Sequence, residues 1–526
     1  MTMKLFTLIL LIPTVLFLFS SVLPTILGAK RVKPIIQLTL LGSVLSILLS
    51  FVGAFYIYTI GNAETSLLEF QNLGLSIRVD VLSMLFFGMI ALLGFVIVKY
   101  SVNYLKGDAR QHVFMGRIAA TIASVQLFVL SGNLFILFLS WVTTSLFLHR
   151  LLVFYKERPR AQSAALKKFI VARFSDVFLL TSFLLIYIQV GSGSLATIFE
   201  AIQQTDLNAS LNLELATVFL VLAAIFKSAQ FPIHGWLVEV METPTPVSAL
   251  LHAGVLNAGP FVIMRMAFLL DASVWASNML LIVGGTTAII ASVIFLTQSS
   301  IKTALGYSSI AHMGFSLFIC GTGAYSAAVL HIVAHSFYKG HAFLSSGSSV
   351  DVIKTKRITT SERLKNPFRI ALGVILAFAV YLGIAVIFEI DFNSNVALFA
   401  VGLVIVMSLT QVIVPIIDTK QHVSTVLFAC LLVGLVATSF LGFEHIFHTL
   451  LDAQFPGAAS MTSGRILVVA IMLLLFAIVV SLQVFSPSYF NLKNATKLSV
   501  YLRNGFYINS YFDKLIGAYD IKKTNA

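Results

Sequence analysis

Phe226-Lys227-Ser228-Ala229-Gln230-Phe231-Pro232-Ile233-His234-Gly235-Trp236 sets one lysine inside a strongly apolar stretch, with a proline five residues later. A lysine at membrane depth costs roughly 2.5–3.5 kcal/mol on insertion scales, so it faces a partner or a water-filled cavity rather than lipid. Pro232 removes a backbone donor and breaks the helix beside it, freeing carbonyls that only buried or wet surroundings satisfy. Twenty-five residues beyond Lys227, His252 lies in Pro244-Thr245-Pro246-Val247-Ser248-Ala249-Leu250-Leu251-His252-Ala253-Gly254. A broken helix that carries a buried cation, with an imidazole nearby, is the pattern of an ion path.

The rest of the chain supplies the membrane that such a path needs. The 526 residues are 58% hydrophobic and 10% charged, with a mean hydropathy of +0.97, which excludes an ordinary soluble domain. Apolar runs of about 20 residues, long enough to span a bilayer, recur throughout. They predict spans at 5–27, 35–60, 80–98, 117–131, 133–153, 169–190, 213–242 (broken), 246–270, 274–297, 301–321, 324–347, 368–388, 395–417, 423–443 and 465–487. The reading is an all-α polytopic membrane protein of about fifteen transmembrane helices. The first span lacks a small-residue cleavage site and precedes Lys30-Arg31-Val32-Lys33, so it reads as a retained anchor.

The net charge of +13 is a topology signal, not a nucleic-acid signal. Loops near 28–34, 99–117, 150–168 and 349–367 and the tail after 488 hold most of the Lys and Arg. Loops near 191–212 and 444–463 carry Glu200, Asp206, Glu444 and Asp452 and no Lys or Arg. The positive-inside rule then places the amino terminus outside and the carboxyl terminus in the cytoplasm, which an odd number of crossings satisfies. Cys320 and Cys430 lie far apart in separate spans, so the chain suggests neither a disulfide scaffold nor a cysteine-ligated metal.

His331, His335 and Lys339 are spaced i, i+4, i+8, each advancing only about 40° around a helix, so they line one stripe. Neutral imidazole both accepts and donates a proton, and a desolvated lysine can titrate near neutrality, so the stripe can relay protons. Sodium would need oxygen ligands, and the candidate buried carboxylates are few: Asp176, Glu239 and Glu242. Protons are therefore favoured.

Plainer readings stand beside each residue. His331 and His335 can be core histidines bonded to carbonyls. A zinc site is disfavoured because residue 332 is Ile, not the glutamate of His-Glu-x-x-His, and no third ligand is evident. Lys339 can snorkel. Asp176 can pair with Arg173 or with Lys227. His252 can bond a carbonyl freed at Pro232, and Lys302 suits either a cytoplasmic mouth or a solvated helix end. His312 and Arg265 read as structural. Thr243 or Thr245 can cap the helix beginning near Pro246.

The run Lys227–Gly254 closely resembles the antiporter-like membrane subunits of respiratory complex I, its L-subunit branch above all, and of the Mrp antiporters. Three further segments are similar: Arg173-Phe174-Ser175-Asp176-Val177-Phe178, Lys302-Thr303-Ala304-Leu305-Gly306-Tyr307-Ser308, and His331 to Lys339. The resemblance spans roughly 80–350 and implies inverted five-helix repeats with broken helices. It divides the chain into N-terminal helices (1–116), a first repeat (117–270), a second repeat (271–420), C-terminal helices (421–488) and a cytoplasmic tail (489–526). On that resemblance, Asp176, Lys227, Glu239, Glu242, His252, Lys302, His331, His335 and Lys339 form the proton or cation pathway.

Departures from the family are as telling. Its Trp-Glu pair stands here as Trp141-Val142, and its later lysine-bearing broken helix is unrecognisable between 367 and 391. The length leaves little room for the lateral arm of complex I L subunits. The tail Asn504–Leu515 and the run Leu251–Gly259 instead resemble the membrane subunit of bacterial DAB inorganic-carbon transporters. That resemblance implies a partner on the cytoplasmic face, a large soluble zinc protein similar to β-carbonic anhydrases. It also implies a bacterial inner-membrane location, and no cofactor or metal in this chain. The competing readings are a subunit of a redox-driven respiratory or hydrogenase pump, an Mrp-type cation/proton antiporter subunit, and a passive membrane scaffold. The eight aromatic residues after 488 suit either the lipid interface or a docking surface.

Overall fold

The computed structural model describes residues 3–28, 31–68, 74–204, 210–347, 366–390, 395–419, 423–457, 461–489 and 495–515. The chain opens with α1 (Met3–Leu27) and α2 (Val32–Ile60), a hairpin of β1 (Ala63–Leu68) and β2 (Leu75–Val79), then α3 (Val81–Tyr104), α4 (Gln111–Val129) and α5 (Leu134–Leu152). It continues through α6 (Pro159–Val190), α7 (Leu195–Gln204), α8 (Leu211–Lys227), α9 (Gly235–Glu239), α10 (Thr245–Ala253), α11 (Ala258–Arg265) and α12 (Ala267–Asp271). After these come α13 (Val274–Phe295), α14 (Ile301–Thr322), α15 (Tyr325–Ser345), α16 (Pro367–Ile387), α17 (Val396–Ile417), α18 (Val423–Leu451) and α19 (Ser463–Tyr489). Two short helices, α20 (Ala495–Arg503) and α21 (Ile508–Leu515), end the described chain.

Among the described residues, thirteen segments are long and apolar enough to cross a bilayer. Adding α8, which ends at Lys227, and α15, which carries the histidine stripe, gives every one of the fifteen expected spans a helix. Large apolar side chains such as Phe51, Phe55, Val386 and Leu431 point outward and lie exposed, as lipid-facing residues do. The main core runs through α1 to α15, while α16, α17 and α18 share a second cluster around Tyr381, Ile413 and Leu441. Helices α13 and α14 cross at two glycines. A Cβ on Gly284 would stand 2.6 Å from the Gly314 carbonyl oxygen, so only the missing side chains let these backbones meet.

Several boundaries differ from the sequence reading. The all-α membrane architecture carries one short addition, an antiparallel pairing of Ala63–Leu68 with Leu75–Val79 that lies outside the apolar spans. Arg78 on that hairpin bridges Glu64 (3.0 Å) and Asp80 (2.7 Å), and buried Arg265 reaches the same Asp80 carboxylate at 2.5 Å. Asp80 also caps α3 by accepting from the Ser83 amide. Burial alone would raise the Asp80 pKa, but Arg265 and Arg78 outweigh it and hold the carboxyl well below the usual carboxylate range. Arg265 is thus a structural pin, as its sequence context suggested.

The supposed loop 150–168 becomes helix from Pro159, a residue suited to the first helical turn, which places Lys167 and Lys168 inside α6. Residues 195–204 form a short amphipathic helix that buries Leu195, Ile198 and Ile202. The loop expected at 444–463 begins later, since α18 runs to Leu451 and buries Glu444 against Ser326 (2.8 Å). Neither Thr243 nor Thr245 caps α10. Pro244 occupies that position, and the Thr243 hydroxyl donates back to the Val240 carbonyl. Span 246–270 is three helical pieces parted at Gly254 and Met266. By contrast α16 is unbroken, in keeping with the missing second lysine-bearing break. Asp206, residues 348–365 and the tail beyond Leu515 lie outside the described residues.

Candidate ion path

Helix α8 ends at Lys227, and the chain turns through Ser228–His234 before α9 resumes the span. The expected break at Pro232 is there, with a cis Phe231–Pro232 bond and Ala229 at φ +50°. Gly259 allows α11 to lie against this turn, since a Cβ there would collide with Ser228 Oγ. Lys227 is buried. Its ammonium donates to the Trp141 carbonyl at 3.1 Å and stands 4.1 Å from the Trp141 ring centroid. The tryptophan of the family's pair therefore holds the lysine by its carbonyl and π face, where a carboxylate is missing at Val142.

Asp176 is at ion-pair distance from Arg173 (2.7 Å), one helical turn away on α6. Lys227 feels its charge, yet no hydrogen bond joins the two, so the geometry selects the Arg173 pairing as the direct contact. Lys168 adds a cation that the sequence reading passed over. It is buried on α6, donates to Ser145 O (2.7 Å) and Oγ (2.6 Å), and interacts electrostatically with both Lys227 and Asp176.

Two voids of about 20 Å³ flank the Lys227 side chain. Each just exceeds the roughly 10–15 Å³ that one water needs. One lies toward Lys168 and Trp236. The other is lined by Trp141, Thr144 and Asn257. Asn257 in turn donates to Ser336 Oγ on α15 at 2.7 Å, linking the lysine chamber to the histidine stripe.

That stripe is real. His331 and His335 stack with ring centroids 6.0 Å apart, and His312 from α14 inserts beside them at 5.3 and 4.8 Å. His312, assigned a structural role from sequence, therefore belongs to the cluster. Its sequence gave no spacing signal because it sits on a different helix. Among the described residues, neither ring nitrogen of His335 has a hydrogen-bond partner, which counts against the plain reading of a carbonyl-bonded core histidine at that position. Lys339 does not snorkel. It is fully buried and donates to Ser308 Oγ (2.7 Å) and Leu305 O (3.3 Å). Ser308, His312 and His331 line a cavity of about 420 Å³ shared with Ser408, Gln411 and Gln483.

The remaining candidates fall into place around these groups. His252 is buried, stacks on Phe343 at 4.3 Å and feels Lys339, but bonds no carbonyl at the Pro232 break. Lys302 is half-buried at the start of α14, 3.4 Å from Thr245 Oγ1, so it is not freely solvated. Glu239 pairs with Lys167 at 2.6 Å rather than with Lys227. The side chain of Glu242 lies outside the described residues.

His312 supplies the third imidazole that spacing alone did not reveal, and the three rings bring candidate nitrogens within 4.8 Å of one another. Tetrahedral zinc, with Zn–N of about 2.0–2.1 Å, needs nitrogens about 3.3 Å apart. Lys339 stands one turn from His335, an unfavourable neighbour for a dication. Three imidazoles beside a lysine are groups able to accept and donate protons.

Residues 131–416 match the family described as NADH:quinone oxidoreductase/Mrp antiporter, TM, and residues 68–115 match the N-terminal part of complex I chain 5. A probable inorganic carbon transporter subunit DabB2 of Halothiobacillus neapolitanus is 36% identical over 454 residues, covering 84% of this chain and 80% of its own length. A probable subunit DabB of Hydrogenovibrio crunogenus is 38% identical over 55% of this chain and 57% of its own. NADH-quinone oxidoreductase subunit L of Escherichia coli is 33% identical over 53% of this chain and 46% of its own. Among solved structures, a membrane-bound sulfane sulfur reductase, an archaeal respiratory membrane complex, superposes with a TM-score of 0.60 at 16% identity, covering 96% of this chain and 99% of that one. The Mrp complex of Dietzia sp. gives 0.58 at 21%, covering 97% and 56%. These two share the fold.

Proposed function

We propose a function from one premise: this chain belongs to the antiporter-like membrane subunits of the NADH:quinone oxidoreductase/Mrp family, and within them to the DabB group. It is a multi-pass transport subunit of a larger complex. In our reading it conducts protons across the bacterial cytoplasmic membrane and thereby energises inorganic-carbon uptake. The observation that carries the ionic part is the run of buried and half-buried polar groups from Lys227 through Asn257 and Ser336 to the three histidines and Lys339. Carboxylates are scarce along it, and Asp176 is already paired with Arg173, so an oxygen cage for sodium is lacking among these side chains.

The carbon part rests on the relatives' names. Hydrating CO₂ to bicarbonate releases a proton, and a proton motive force biases such a step only through a coupled membrane path. A soluble zinc-bearing partner at the cytoplasmic face would carry the hydration, with the amino terminus of this chain outside and its carboxyl terminus inside. The test is growth of a carbonic-anhydrase-deficient bacterium in ordinary air. This chain and its soluble partner together restore growth, neither does so alone, and a protonophore abolishes carbon accumulation. Rescue by this chain alone would indicate an autonomous transporter. Accumulation that survives collapse of the proton gradient under imposed sodium would indicate sodium coupling, and copurification with quinone-reactive chains a redox pump.

A further inference from the structure

We infer that Lys167, Glu239 and Asp513 form a proton-loading site at the mouth of the Lys227 chamber, and that the carboxyl-terminal helix α21 completes it. The inference rests on the proton-conducting reading above and goes beyond it by naming where protons enter and which segment governs entry. Lys167 is fully buried on α6 and meets two carboxylates: Glu239 at 2.6 Å on α9 and Asp513 on α21. Asn509, one turn before Asp513, accepts from the same ammonium (3.3 Å) and donates to Glu239. One ammonium against two carboxylates leaves a formal surplus of one negative charge. That surplus is the charge one incoming proton would neutralise.

Position makes this more than a structural clasp. The Glu239 side chain is 25% exposed, so it meets solvent, while Lys167 and Asp513 are buried behind it. Glu239 lies one helical turn beyond Trp236, and Trp236 lines the one-water void shared by Lys168 and Lys227. Helix α9 thus joins the cluster to the wall of that void, and Lys167 neighbours Lys168, which lines it.

The tail is seated for the role. A Cβ on Gly235 would fall 3.1 Å from Asn509 Cβ and closer still to its carboxamide, so glycine is what lets α21 lie on α9. The preceding segment is tied to the α13–α14 turn, where Gln298 donates to Arg503 O (3.1 Å) and Arg503 to Ser299 Oγ (3.0 Å). Tyr501, Tyr511 and Lys514 remain exposed on the outer side of the strap. A force on the strap therefore reaches the loading site through Asn509 and Asp513.

The experiment reads proton uptake in everted vesicles carrying the complete complex, with Lys227→Met as reference. Asp513→Asn keeps the shape of the helix contact and removes the surplus charge, so flux falls at least tenfold while assembly is retained. Asp513→Glu restores more than half of it. Asn509→Ala leaves both carboxylates but loosens the strap, and reduces flux severalfold. Flux within twofold of wild type in Asp513→Asn, beside loss in Lys227→Met, overturns the loading site alone. Equal failure of Asp513→Asn and Asp513→Glu with reduced assembly shows a packing role and also overturns it. Undiminished flux in Lys227→Met strikes instead at the proton-conducting reading.

Discussion

Lys227→Met separates a lysine kept for conduction from one kept for stability. The ammonium has two partners, the Trp141 carbonyl at 3.1 Å and the Trp141 ring at 4.1 Å. A hydrogen bond to a charged group contributes about 1.5–3 kcal/mol, and a desolvated cation–π contact about 2 kcal/mol. Against these stands the desolvation of a buried cation without a bonded carboxylate, which costs several kcal/mol even after relaxation. The two sides nearly cancel. Methionine keeps most of the stem volume, so the melting temperature of Lys227→Met in detergent should equal or exceed that of wild type. Lys227→Ala leaves a cavity, and large-to-alanine changes in a packed core cost about 2–5 kcal/mol, so it should melt lower. Both variants should lose proton uptake in everted vesicles by on the order of a hundredfold, the lower range for removing a proton-transfer group. A Lys227→Met protein that melts as low as Lys227→Ala, or that retains uptake at normal expression, would refute the assignment.

Three further outcomes follow from the same geometry. Single changes to Gln at His312, His331 or His335 should each stop most of the flux, and double changes should cost little more, because groups acting as one unit are non-additive; independent, multiplying defects would point to separate structural roles. Asp176→Asn should change stability by no more than about 0.5 kcal/mol, the scale of an i,i+3 helix pair, yet lower uptake, and near-normal uptake would confine that carboxylate to Arg173. Because Asp80 has a lowered pKa in the folded protein, its contribution is fully present above the unfolded value of about 3.9 and is lost as pH falls toward the folded value. Detergent melting curves should thus show acid destabilisation below about pH 4 that is blunted in Asp80→Asn, which should itself be less stable at pH 7 by about 3–5 kcal/mol, the cost of breaking a buried pair. An unchanged acid profile in Asp80→Asn would place the acid-sensitive group elsewhere.

The apolar runs and their punctuation determined where the chain crosses the membrane, because a bilayer imposes the same length on every span whatever its neighbours. Lys227, Pro232 and the His331–His335–Lys339 stripe were legible for a related reason. Each is a local rule, a charge in an apolar run, a missing amide, a repeat of four. The tertiary structure decided everything that depends on which helices touch. It brought His312 from α14 between two histidines of α15, joined Asn257 to Ser336, and gave Asp176 to Arg173 rather than Lys227. It also enclosed Lys168 within α6 and folded Asp513 back onto Lys167 across 346 residues of sequence. Sequence periodicity fixes the face on which a side chain lies, but its partner across a helix interface is set by packing between segments far apart in the chain, and that no local pattern encodes.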